Sequence, residues 1–73
     1  MTTKDAFSLK KFAPVHHKWF GLCIVMDMVP NFGPAILPVT VEGLFHLTEA
    51  SGMPAGTPYL CSDYKQMLKH HKD

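Results

Sequence analysis

The apolar positions of this chain gather into one long block, with short mixed stretches on either side. From Trp19 to Val41 the chain reads WFGLCIVMDMVPNFGPAILPVTV, 23 residues carrying a single charge, Asp27. No lysine occurs between Trp19 and Tyr64. As a helix the block would reach about 34 Å, enough to cross the hydrocarbon core of a bilayer. Residues 19–29 offer no polar helical face apart from Asp27, which predicts burial on every side, in lipid or in protein. Prolines at 30, 34 and 38 forbid one unbroken span. Each removes an amide donor and crowds the preceding turn, so three together would cost on the order of 9 kcal/mol in a regular helix. The pattern therefore predicts a helix ending near Val29, then a turn over 30–34 using Asn31 and Gly33. A second helix would run from Pro38 to about Ala50, with Gly52 as its C-terminal cap. The β-branched run Val39-Thr40-Val41 leaves a strand over 35–41 as the alternative.

Outside the block, residues 1–18 predict a basic amphipathic helix and linker. Thr2 or Thr3 caps it, Asp5 sits in its first turn, and Ala6, Leu9 and Ala13 form its apolar stripe until Pro14. Such a helix either lies on an anionic surface with Phe7 and Phe12 dipping in, or is an ordinary surface helix. His16, His17, Lys18 and Trp19 form a basic, aromatic collar of the kind a membrane interface selects. Residues 51–61, SGMPAGTPYLC, predict a loop, and Ser62 caps a last helix in which Tyr64, Met67, Leu68 and His71 share one face.

The expected fold is mostly α: two or three short helices broken by Pro-rich turns, with an apolar middle embedded in a membrane or buried against a partner. No independent globular fold is expected. The chain divides into 1–18, 19–50 and 51–73. At 73 residues a core is marginal without a staple, a metal or a partner. Two cysteines permit one disulfide at most. A net charge of +1 with seven lysines and no arginine excludes a nucleic-acid binder built on bulk charge or bidentate phosphate grips. The missing arginine also weighs against a cleavable mitochondrial presequence, and no secretory signal pattern is present.

Five histidines and two cysteines raise metal binding, yet no CxxC or HxxxH spacing supports it. A site would need distant residues such as Cys23, His46, Cys61 and His70, and no metal or cofactor ligand is assigned. A Cys23, His46, Asp27 trio can be written for nucleophilic catalysis, but Cys23 within GLCIVM reads as a small buried hydrophobe. No catalytic residue and no small-molecule substrate are expected. Asp27 alone carries a demand: a carboxylate in an apolar segment must be neutral, paired or beside water, as a structural pair or a proton or ion site.

Lys10-Lys11, Lys18-Trp19, Ile36-Leu37-Pro38 and Thr57-Pro58-Tyr59 lay the chain out in a way that resembles the small accessory subunits of mitochondrial inner-membrane respiratory complexes. That resemblance implies a non-catalytic subunit that stabilises contacts between larger membrane-complex subunits, with lipid contact. Asp27 and the three prolines depart from the family's clean span and suggest a segment shielded by protein. Trp19, Asp27, Pro30, Pro34, Pro38, Tyr64, Met67 and Leu68 are the expected interface residues. A soluble helical interaction module and a small metal-binding protein are the alternatives.

Overall fold

The computed structural model describes residues 1–54 and 56–71. Its centre is a sheet, which overturns the mostly helical expectation. Strands β1 (Pro14–His17), β2 (Gly21–Val29), β3 (Gly33–Pro38), β4 (Tyr59–Leu60) and β5 (Leu68–His70) form one five-stranded sheet in the order β4-β3-β2-β1-β5. Every neighbouring pair is antiparallel. Helices α1 (Thr3–Phe7), α2 (Val41–Ser51) and α3 (Tyr64–Met67) complete it.

The apolar block is a β-hairpin. Ile24, Val25 and Val29 are β-branched, which favours strand, and a continuous apolar run has no period that separates strand from buried helix. The predicted turn stands between the two strands, with Asn31 at φ +70°. The prolines that break a helix cost little here. Pro30 lies in the turn, while Pro34 and Pro38 lie near the two ends of β3, where a missing donor is tolerated. The longest helix, α2, has 11 residues, and among the described residues no helix is long and apolar enough to cross a membrane. The expected transmembrane or embedded helix is therefore withdrawn.

Some local signals hold. Thr2 caps α1 through Asp5 N–H, and Gly52 ends α2 in the left-handed region at φ +71°. The cap that starts α2 is Thr40, whose hydroxyl accepts from Gly43 N–H at 2.9 Å. α1 stops at Phe7, well short of Pro14; Ala6 is buried within it, while Leu9 and Ala13 pack against the core from the chain beyond. The last helix is a single turn, and Leu68 already begins β5.

Register sorts the side chains onto two faces, since directly paired residues share a face. Val15, His17, Cys23, Val25, Ile36 and Leu68 point one way, and Ala6, Phe20, Leu47, Cys61 and Tyr64 pack with them into the core. The chain between β4 and β5 must pass from one sheet edge to the other, and residues 61–67 make that crossing over this covered face. Leu22, Ile24, Ala35 and Leu37 point the opposite way and are only half-buried. No side chain of the described core comes from that second face.

Candidate functional site

Where the crossing segment passes over β1, three ligand-type side chains meet. His17 comes from the last position of β1, Cys61 from just beyond β4, and Asp63 from the start of α3. The ring nitrogen, the thiol sulfur and a carboxylate oxygen all lie within 4.8 Å of one another. Alternation along β1 aims His17 inward with Val15, and it is 3% exposed. Phe20 stacks on its ring at 4.2 Å between centroids, and Tyr59 stands edge-on at 6.0 Å.

The hydrogen bonds fix the chemistry of the trio. His17 Nδ1 accepts the Trp19 N–H at 3.1 Å, so the proton of the neutral ring sits on Nε2. Nε2 is buried and has no hydrogen-bond partner among the described residues, a costly state for a polar atom. Cys61 Sγ donates to Asp63 Oδ1 at 3.3 Å. Asp63 occupies the cap position of α3 without making a side-chain capping bond, so its carboxylate serves the cluster instead. Burial, followed by the Asp63 carboxylate, pushes the Cys61 thiol well above the usual thiol range. Burial likewise pushes Cys23 up to about 12. Both cysteines are fully buried and free. These are protonated thiols, unlike the partly exposed thiolates of nucleophilic cysteines. A thiol, an imidazole and a carboxylate at this separation could hold a metal ion of borderline softness.

Burial holds the His17 pKa below its usual 6.5, and the nearby Asp63 charge only partly opposes this. Below 6.5 the unfolded chain then binds more protons at this site than the folded one. Stability is greatest above that pH and falls as the solution is acidified, at no more than about 1.4 kcal/mol per pH unit for one proton. Thermal melts of metal-free protein should show the midpoint dropping between about pH 7 and pH 5, and His17→Gln should flatten the profile.

The residues singled out in sequence are scattered. Trp19 lies in the turn between β1 and β2 and is 59% exposed. Asp27 is exposed beside a bulge that shifts the β2–β3 register, and it accepts the Met28 N–H at 2.8 Å. Its supposed need for a buried partner disappears with that exposure. Pro30 is exposed, Pro34 and Pro38 are buried, Tyr64 and Leu68 are core residues, and Met67 is half-buried. The Cys23, His46, Asp27 trio is not brought together. Cys23 faces the core, Asp27 pairs with Ala35 on the opposite face, and His46 is exposed on α2 near Glu42. The metal quartet fares no better, since His46 and His70 are both exposed. The sequence offered His17 only as one of five histidines, and Asp63 not as a ligand at all. The signal available was the alternation of residues 14–18, which places Val15 and His17 on one side of a strand.

Comparison with protein families, with characterised proteins and with solved structures finds no match for this chain.

Proposed function

We propose that this chain is a non-catalytic protein-interaction module, that its working surface is the open face of the sheet, and that the protein docked there is a second copy of the chain. The supporting observation is the order of residues on that face, which register arranges in three rows. His16, Leu22 and Lys69 form one end row. Pro14, Ile24 and Leu37 form the middle row. Asp27, Ala35 and Leu60 form the other end row. His71 stacks on His16 at 5.0 Å and adds to the basic end.

Such a surface is self-complementary. A two-fold axis along the middle row lays Ile24 and Leu37 on their own copies, and it brings the Asp27 end over the His16–Lys69 end twice. Sheets stacked this way lie about 10 Å apart, giving helix, sheet, sheet, helix layers. The non-catalytic, assembling role read from the sequence is retained, now carried by a sheet face. Five strands of this length offer roughly 400 Å² of projected face per copy, against the 800 Å² or so of a standard interface. The association is accordingly weak.

Sedimentation velocity from about 5 to about 500 μM tests the reading. The wild type should pass from monomer to dimer across that range. Ile24→Lys should stay monomeric with an unchanged melt, because the position is already half-exposed. Asp27→Lys should weaken association, because its row then meets the Lys69-bearing row with like charge. A folded wild type that remains monomeric throughout would refute the proposal, as would an Ile24→Lys variant that associates normally.

A further inference from the structure

The buried cluster of His17, Cys61 and Asp63 lies on the covered side of the sheet and shares no residue with the dimer face. We infer that it is a binding site for one zinc-type divalent ion, held by the Cys61 thiolate, His17 Nε2 and the Asp63 carboxylate, with solvent as a fourth ligand. Three observations converge on it. One ring nitrogen of His17, Cys61 Sγ and an Asp63 carboxylate oxygen already lie within 4.8 Å of one another. A tetrahedral zinc centre places such atoms about 3.3–3.6 Å apart, so a closure of about 1 Å completes it. The Asp63 side chain is half-buried, makes no helix-capping bond and already meets Cys61 Sγ at 3.3 Å, so the closure needed is toward His17. Above all, His17 Nε2 is an orphaned polar atom in a residue only 3% exposed. Aromatic rings crowd the imidazole, with Phe20 stacked, Tyr59 edge-on and Trp19 at 5.9 Å. An ion would give it the partner that the described protein groups do not.

The donor set selects the ion. A thiolate and an imidazole favour zinc, cobalt or copper over magnesium and calcium, which prefer all-oxygen shells. Protons balance as follows. Cys61 gives up its thiol proton to solvent as the sulfur–metal bond forms. The ring proton of His17 moves through solvent from Nε2 to Nδ1, so the imidazole stays neutral. Asp63 binds as the carboxylate it already is. One proton is released per ion. Moving the ring proton costs the Trp19 N–H contact to Nδ1. Nδ1–H would then face the Trp19 N–H, so that amide must turn away to solvent, and the exchange weakens binding by roughly five- to a hundredfold. That is small beside the many decades of affinity that thiolate–imidazole sites reach for zinc. The ion would tie the end of β1 to the crossing segment, a staple suited to a chain of 73 residues with two free cysteines.

Cobalt(II) titration of the reduced, metal-free full chain tests this. The expected result is one ion per chain, with a thiolate-to-cobalt charge-transfer band and the visible absorption of a tetrahedral centre. Zinc should bleach both and raise the melting midpoint, and EDTA should return the midpoint to its starting value. Cys23→Ser should keep the charge-transfer band, and Cys61→Ser should lose it. Asp63→Asn, at a half-buried position that leaves folding intact, should weaken cobalt binding by about tenfold or more. Absence of the band in the wild type overturns the inference. So does its survival in Cys61→Ser, or binding by Asp63→Asn as tight as wild type.

Discussion

Gly33→Ala is expected to remove a large part of the chain's stability, about 2–6 kcal/mol, and to lower the melting midpoint by roughly 10 °C or more. Gly33 opens β3 with φ +136°, a backbone conformation essentially closed to residues with a side chain. A methyl group there would stand 2.6 Å from the Cys61 carbonyl oxygen and 2.8 Å from Tyr64 Cδ1. Neither neighbour can retreat. Cys61 is held by its N–H to the Pro34 carbonyl at 2.9 Å. Tyr64 is 7% exposed, its hydroxyl is bonded to Thr3 Oγ1 at 3.2 Å, and its ring is set against Phe7. Relief requires lifting the crossing segment off the sheet, and Cys61 and Asp63 go with it. Strain of about 1–3 kcal/mol and overpacking of about 1–3 kcal/mol add up against a total stability of roughly 4–11 kcal/mol for a chain this size. A thermal melt followed by far-UV circular dichroism would read the loss directly, and a midpoint within a few degrees of wild type would contradict it.

Gly43→Ala is the second large effect, and its sign is the informative part. Within an exposed helix the exchange of glycine for alanine stabilises by about 1 kcal/mol. Gly43 is buried in the first turn of α2, where the helix meets the sheet. A methyl group would collide with the Phe20 carbonyl oxygen and lie 2.9 Å from both Pro38 Cβ and Thr40 Oγ1. The first is backbone, the second a rigid ring, and the third the capping hydroxyl that receives Gly43 N–H. Pushing Thr40 aside forfeits a cap worth about 1 kcal/mol, and overpacking adds about 1–3 kcal/mol. The melting midpoint should fall by roughly 10–25 °C, since each kcal/mol moves a domain of this size about 4–8 °C. A midpoint higher than wild type would mean that α2 does not sit so close to Phe20.

Both glycines show where the sequence could be read and where it could not. Local punctuation was legible. The stop near Val29, the Asn31–Gly33 turn and the caps at Thr2 and Gly52 depend on a few neighbouring residues. The long apolar block was misread because an uninterrupted run has no period to distinguish strand from helix. The penalty assigned to three prolines was sound only for a helix, and it vanishes at strand ends and in a turn. Two apolar runs joined by Pro-Asn-Phe-Gly are equally a hairpin signature, and the β-branched residues at 24, 25 and 29 favour it.

The candidate site was harder still. His17 reads as part of a basic collar beside Lys18 and Trp19, and Cys61 as the end of a loop. They become neighbours only because the chain crosses from one edge of the sheet to the other. Nothing within ten residues of either announces the pairing. Asp27 misled in the opposite direction. Its apolar surroundings in sequence implied burial, but the bulge at its shoulder turns it onto the open face.

The strand order has a kinetic consequence. β5 pairs with β1 across most of the chain, Val15 lying opposite His70. The hairpin of β2 and β3 can zip locally within microseconds, yet β1 keeps an unsatisfied edge until residues synthesised more than fifty positions later arrive. Such a closure must overcome the entropy of a long loop before any ladder bond rewards it, which places assembly in the slower, millisecond-to-second class of small domains. During that interval the apolar hairpin stands with its β1 flank unsealed, and the short, late β5 acts as the latch.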